Sequence, residues 1–336
     1  MRFALTTEQQ ELHQVVAQLL GDACTPDVVR AGTGSPQADR LYAGLVDLGA
    51  TGLLVDEEAG GLGLDENYLV PVLVEIGRAA APLPLVDTLA VAPGLLSATG
   101  RAEDVLAGTV CVAADPVGNG LVRFGSRADL LLQGGWGGSG VIRVVDLAGA
   151  QREPQAAVDP AADLQRISFG TIIAEIDDPA LVRTAWLRGV LGSAAELVGL
   201  SRRMLDLTVG YVKERQQFGV PIGSFQAVKH HLASALLAVE FAAPTVSAAG
   251  YALATGDEQA SVAVATAKAL ASDAAVQVAR ATLQCHGAIA YTTEYDWQLF
   301  AKRAWAVAAQ WGTAAWHRDA VARALGLPAS GTSPAH

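Results

Sequence analysis

Cysteine is scarce in this chain: among 336 residues there are three, Cys24, Cys111 and Cys285. Their spacing suits neither a metal-ligand set nor a disulfide framework, so a stapled scaffold is ruled out and a reducing, cytoplasmic setting is expected. Positive charge is also short. Against 34 acidic residues stand 23 Lys and Arg, a net charge of −11. That argues against nucleic acid as the main partner, because phosphate binding needs a basic surface. Long apolar runs are missing too. Gly, Pro or a charge interrupts each one before about 18 unbroken residues, so no membrane span is expected. The first twenty residues carry acidic and polar side chains inside their apolar pattern, which fits neither a signal peptide nor a span.

What the chain does have is apolar material. Hydrophobic residues make up 51%, Ala foremost, enough to fill a large core and to favour helices. Residues 7–20 read as an amphipathic helix that Thr6 or Thr7 can cap, with Leu12, Val15, Val16, Leu19 and Leu20 on one face. A second helix is predicted near 38–49. Asp65 starts another that ends near Gly77, and 86–107 again looks helical. From Val110 the character changes to short β-branched or alternating segments between Gly clusters. Asp178-Pro179 is an N-cap followed by a first-turn Pro. Long helices are then predicted at 179–213, 224–255, 258–285 and 295–325. The expected fold is mainly α with a small β domain. It divides into an N-terminal helical domain (1–108), a reduced middle β domain (109–177), a C-terminal four-helix bundle (178–327) and a disordered tail (328–336). Bundle helices this apolar would leave surface uncovered on a monomer, so an oligomer is expected.

The stretch around which the chain is organised is 211–232. A helix carrying Tyr211, Lys213, Glu214 and Arg215 is broken at Gly219 and Pro221, and a new helix starts near Ser224. Arg215 and Gln226 therefore sit at two ends of one helix–turn–helix corner. A guanidinium fork and an amide near a helix N-terminus suit a pyrophosphate or nucleotide. On spacing alone, a charged corner between two bundle helices fits as well. Asp56, Glu57 and Glu58 read as a solvated acidic loop rather than a metal site. Gly134, Gly135, Gly137 and Gly138 form no dinucleotide fingerprint and read as a flexible turn around Trp136.

The corner, R-x-Q-F-G-x-P-I-x-x-F-Q-A-x-K-H, resembles the signature of the acyl-CoA dehydrogenase family. A second stretch, 284–313, resembles the family's Q-x-x-G-G-x-G-Y/F-x-x-E-Y segment and its closing E-G-T. Gln284, Gly287, Tyr291, Glu294, Tyr295, Gly312 and Thr313 stand in register. A third match is the Gly-Gly-Leu-Gly loop at 60–63 with the following E-x-G-R-x-x-x-P-x-P at 75–84. The resemblance implies that Arg215, Gln217, Phe218, Gln226, Gln284, Gly287, Ala288 and Thr313 reach the FAD held mainly by a neighbouring subunit. Ala288 replaces the usual second Gly. The resemblance also implies an acyl-CoA substrate and an electron-transfer flavoprotein as electron acceptor.

The sequence departs from the family where the chemistry sits. The reaction needs a carboxylate to take the α-proton of the thioester. Its usual position, just before Gly-Thr, is Trp311, and indole has no basic lone pair. Some members place the base 26 residues before the matched Arg, which here is Gly189. The family's flavin-ring hairpin has no room between Pro116 and Ala128, and its Trp-Ile-Ser/Thr element has no counterpart there. Glu196, Glu240, Asp206 and Glu294 are the remaining carboxylate candidates. His230 and His231 flank the corner, His286 lines the 284–288 loop or packs beside it, and His317 reads as a surface helix residue. The expectation is a base-lacking subunit that completes the FAD site of a catalytic acyl-CoA dehydrogenase partner. Shortened, Ala-rich chains of this kind resemble the partner subunits of actinobacterial steroid-degrading members, so a bulky acyl group is expected. Two alternatives stay open: a homo-oligomeric dehydrogenase with a displaced carboxylate, and a non-enzymatic assembly subunit.

Overall fold

A computed structural model describes residues 5–136 and 140–328 of the chain. The expected turn glycines Gly137 and Gly138, and the tail from 329 onward, lie outside the described residues. The N-terminal part is helical: α1 (Thr7–Ala23), α2 (Pro26–Ala31), α3 (Pro36–Asp47), α4 (Glu66–Ala79), α5 (Ala92–Ala98) and α6 (Ala102–Leu106). Thr6 caps α1 in a capping box, its hydroxyl accepting the Gln9 N–H at 3.2 Å while Gln9 Oε1 accepts the Thr6 N–H at 2.9 Å. Asp65 caps α4. The expected single helix over 86–107 is instead a π turn at Asp87–Val91 followed by two short helices. Gly100, at φ +73°, separates the last two. Asp56, Glu57 and Glu58 are exposed, as a solvated acidic loop should be.

The strands are β1 (Val112–Asp115), β2 (Leu121–Val122), β3 (Leu130–Gly134), β4 (Ile142–Asp146), β5 (Gln151–Pro154), β6 (Gln165–Ser168) and β7 (Thr171–Ile176). They form two small sheets, β1-β3-β4-β7 with β1 parallel to β3, and antiparallel β2-β6-β5. Strand β3 explains its own sequence. Leu131 joins a minor core with Val122, Val145 and Ile167, while Leu130 and Leu132 face the helices and join the main core. A strand buried on both faces needs a continuous apolar run rather than an alternating one.

The bundle follows: α7 (Pro179–Glu214), a hairpin of β8 (Gln216–Gln217) and β9 (Val220–Pro221), α8 (Gln226–Ala254), α9 (Ala260–His286), α10 (Trp297–Ala309) and α11 (Ala314–Ala324). The one helix expected over 295–325 is two. Trp311 and Gly312 take φ values of +55° and +94°, and Thr313 starts α11 as its N-cap. By length and composition α8 and α9 could each cross a membrane. Helix α9 is mostly packed inside the bundle, while α8 leaves Leu236, Leu237 and Phe241 on the surface.

One buried side chain ties all three layers. Arg303 of α10 is 1% exposed. Its Nε donates to Asp159 of the β layer, and its Nη1 donates to the carbonyls of Ala80 and Ala81 at 3.2 and 3.0 Å. Asp159 is buried as well. Replacing Arg303 with Ala leaves that carboxylate without its counter-charge, so the unfolding free energy should fall by about 3–5 kcal/mol, read from urea denaturation.

Candidate functional site

Two regions carry the sequence-predicted chemistry. The first is the corner between α7 and α8. Arg215 ends α7 in extended backbone, and the turn is a β-hairpin rather than the simple break the sequence suggested. Phe218 and Gly219 form its tip at φ +57° and +82°. Two successive positive φ values make the primed turn that suits a two-residue hairpin. Glycine does this freely, but a phenylalanine does not. Phe218 is 92% exposed and meets Phe225 edge-on, at 6.1 Å between ring centres. Gln226 opens α8 as its first residue.

The second stretch comes beside it. Tyr211, one turn before Arg215, stacks on His286 at 4.6 Å. His286 Nδ1–H donates to the Thr282 carbonyl at 2.9 Å, and Nε2 accepts from the Tyr295 hydroxyl at 2.9 Å. His286 is thus a packed, neutral side chain whose pKa burial pushes down. It aims the loop after α9, where Gln284, Gly287 and Ala288 are exposed. Among the described residues, the side chains of Arg215, Gln217, Gln226 and Gln284 make no hydrogen bond or ion pair within the chain. Four strong polar groups at one end of the bundle are therefore free to meet a ligand from outside. Thr313 differs: its hydroxyl accepts the Trp316 N–H at 3.2 Å as the α11 cap.

The third feature is where a base would stand. The two family base positions are far apart in sequence and touch in space. A Cβ built on Gly189 would lie 2.7 Å from the ring of Trp311, and Trp311 is fully buried. Trp136 meets the same ring edge-on at 5.1 Å and Trp186 at 5.4 Å. His317, expected on the surface, is 1% exposed instead. It lies on the inner side of α11 and its Nε2–H donates to the Trp311 carbonyl at 2.8 Å, which holds the kink. Lys268, also buried, donates to the carbonyls of Val307 and Ala308 at the end of α10. The segment that presents Trp311 is thus fixed from two sides.

The remaining carboxylates fall into place around it. Glu240 is exposed on α8, and Glu294 is exposed, with its carbonyl accepting from Arg30 at 2.9 Å. Asp206 is exposed and paired with Arg78 at 2.6 Å. Glu196 is buried 4.0 Å from both Arg123 and Arg303. The sequence reading missed Asp87. Its Oδ2 accepts the Ala114 N–H at 2.9 Å while Oδ1 has no partner. Burial pushes its pKa up to about 7 against the pull of the Ala114 N–H, Arg123 and the Trp311 indole. The signal was one acid inside Leu-Pro-Leu-Val-Asp-Thr-Leu-Ala-Val, an otherwise uncharged run.

Comparison with known proteins identifies the family and the fold. Residues 6–104 match the acyl-CoA dehydrogenase N-terminal domain and residues 182–326 the acyl-CoA dehydrogenase C-terminal domain. The acyl-CoA dehydrogenase IpdE2 of Mycolicibacterium smegmatis is 35% identical over 312 residues, covering 89% of this chain and 93% of its own. Its counterpart in Mycobacterium tuberculosis is 33% identical over 308 residues, covering 88% and 91%. This chain belongs to the acyl-CoA dehydrogenase family. Its fold is also that of a chain in the ChsE4–ChsE5 complex from Mycobacterium tuberculosis, with a TM-score of 0.83, 23% identity and full coverage of both chains. A chain of the Tcur3481–Tcur3483 steroid acyl-CoA dehydrogenase has the same fold, with a TM-score of 0.82, 24% identity and coverage of 95% and 98%.

Two measurements test the closed pocket. Gly189→Ala forces a methyl into the Trp311 ring and should cost about 1–3 kcal/mol by denaturant unfolding. Asp87 has a folded pKa raised above its ordinary 3.8, so its contribution to stability is full below about pH 4 and is lost as pH climbs to about 7. Asp87→Asn should remove that slope when unfolding midpoints are compared at pH 5 and pH 7.5.

Proposed function

We propose that this chain is the base-lacking subunit of a heteromeric, FAD-dependent acyl-CoA dehydrogenase, and that it completes the flavin site of a catalytic partner. One observation carries this reading: Trp311 and Gly189 stand at both base positions and pack against each other, so a carboxylate side chain at Gly189 would displace the Trp311 ring. FAD, when bound, supplies the hydride acceptor for α,β-desaturation of the thioester. The partner must then supply the base that takes the α-proton, since the Trp311 indole accepts none.

This chain's contribution is binding and orientation. The Arg215 guanidinium is suited to a pyrophosphate oxygen, with Gln226 at the N-terminus of α8 beside it. Gln217, Gln284 and the Gly287-Ala288 backbone would frame the adenosine side. The unpartnered state of these groups fits a cofactor carried on another subunit. Phe218, Leu236, Leu237 and Phe241 give the bundle an exposed apolar surface that a partner would cover. The two-chain ChsE4–ChsE5 complex and the steroid enzyme of the same fold support a heteromer and a bulky, steroid-type acyl group by analogy. An electron-transfer flavoprotein as acceptor rests on family analogy as well.

A second reading has Asp87 in its favour, as a displaced base in an ordinary homo-oligomer. Flavin absorbance and native mass of the chain, alone and with the dehydrogenase encoded beside it, separate the two. The expected result is colourless protein alone and a yellow, active complex with one FAD per pair of chains. Arg215→Ala should then strip flavin from the complex, and Asp87→Asn should leave turnover within about twofold. Yellow, active protein without a partner, inactivated by Asp87→Asn, would establish the displaced base instead. Flavin content unchanged by Arg215→Ala would leave only an assembly role.

A further inference from the structure

A cavity of about 400 Å³ opens where the N-terminal helices, the β layer and α10 meet. Its lining includes none of the residues of the flavin-facing corner and neither Trp311 nor Gly189. Its volume is in the range of small-molecule sites, about 300–1,000 Å³.

Most charges in its wall are already engaged. Arg30 donates to Asp27, to Asp296 and to the Glu294 carbonyl. Asp159 accepts from Arg303. Asp163 accepts the Ser126 N–H at 2.9 Å and the Gln165 amide at 2.6 Å. Other polar groups are left over. Among the described residues, the Lys302 ammonium and the Gln298 amide make no hydrogen bond or ion pair. Gln298 is only 9% exposed. The Thr33 hydroxyl, 2% exposed, has no partner either. The Thr33 hydroxyl is a buried group left unsatisfied, and the Gln298 amide and Lys302 ammonium reach the cavity without a protein partner, so the wall offers donors to an acceptor. Ala31, Pro160, Ala161 and Leu299 supply a short apolar wall.

We infer that this junction cavity binds a small organic monocarboxylate, its anion on Lys302 and Gln298 and its short apolar body against Leu299 and Pro160. One free cation matches one negative charge. A second negative charge would face Asp159 and Asp163 across the same cavity, which disfavours phosphate and dicarboxylates. Because the walls come from three layers of the fold, occupancy would hold them together and raise the melting temperature with ligand concentration. The proposal is independent of the flavin assignment.

The test is calorimetric titration and thermal melting of the chain, or of its complex if it is isolated that way. The probes are acetate, butyrate and hexanoate, with inorganic phosphate and succinate as the charge controls. The expected result is saturable binding of at least one monocarboxylate with a rise in melting temperature. That binding should weaken at least tenfold in both Lys302→Gln and Gln298→Leu. Neither side chain has a partner in the fold, so both variants should melt like the unliganded wild type, which confirms folding. Absence of saturable binding to all three monocarboxylates overturns the proposal. So does binding that either substitution leaves unchanged, or phosphate or succinate bound as tightly.

Discussion

Helix α7 can sit at the centre of this molecule because one of its faces is nearly bare. Gly189, Gly192 and Gly199 fall at heptad-like spacing along it, and each lets something approach that a methyl would repel. A Cβ on Gly199 would lie 1.9 Å from the Val74 carbonyl oxygen. On the facing helix, one on Gly77 would lie 2.1 Å from that of Glu196. The backbones of α4 and α7 therefore touch. A Cβ on Gly192 would meet Val86, just before the π turn, at 2.7 Å, and Gly189 receives the Trp311 ring. The N-terminal helices, the π turn that carries Asp87 and the α10–α11 kink are all indexed against this face.

That constraint explains how a closed pocket and an open corner coexist on one helix. Through its middle, residues 189–201, α7 is buried on all sides, and the charges trapped there are balanced among themselves. Arg123 and Arg303 flank Glu196, with Asp159 and Asp87 beyond them. At its C-terminal end the helix runs out past the core, and among the described residues nothing engages the Arg215 side chain. The hairpin that follows holds a phenylalanine at positive φ in solvent, a conformation costing of order 1 kcal/mol or more. Such a cost is retained where the surroundings, or a partner, make use of the side chain.

Much of this was legible in the sequence, for identifiable reasons. The capped helices were readable because Thr6, Asp65 and Asp178 are N-caps that mark where a helix starts. Strand β3 was readable because both its faces are buried. The glycine of the Glu75–Arg78 stretch was recognisable as part of a motif, but only the crossing with α7 gives the reason for it. What could not be read was whatever depends on two distant residues meeting. That Trp311 and Gly189 fill one space, and that Asp87 lies against both Ala114 and the Trp311 indole, are tertiary facts with no local trace. His317 was misjudged for the same reason. Read as part of one continuous helix over 295–325 it looked like a surface residue, yet the kink at Trp311 turns it inward. The kink itself was missed because a left-handed tryptophan contradicts local propensity, and only the packing of its ring and the hydrogen bond from His317 make it stable.

Trp311 does more than fill a position where the family resemblance would put a base. A glutamate at that position would sit beside Asp87 and within the field of Glu196, and three carboxylates in one dry pocket could not all ionise. The indole removes that conflict and fills the space with two edge-on ring contacts, to Trp136 and to Trp186, and Trp186 in turn meets Trp316. Gly189 then becomes obligatory, because the ring lies where its side chain would be. Restoring a working base would therefore require at least two coordinated changes and a new partner for the buried, unpaired Asp87 Oδ1. A single reversion at Trp311 would leave a cavity beside Gly189 and a buried charge without a counter-ion. The sealed pocket is thus self-consistent as packing, which a site only one substitution away from activity would not be.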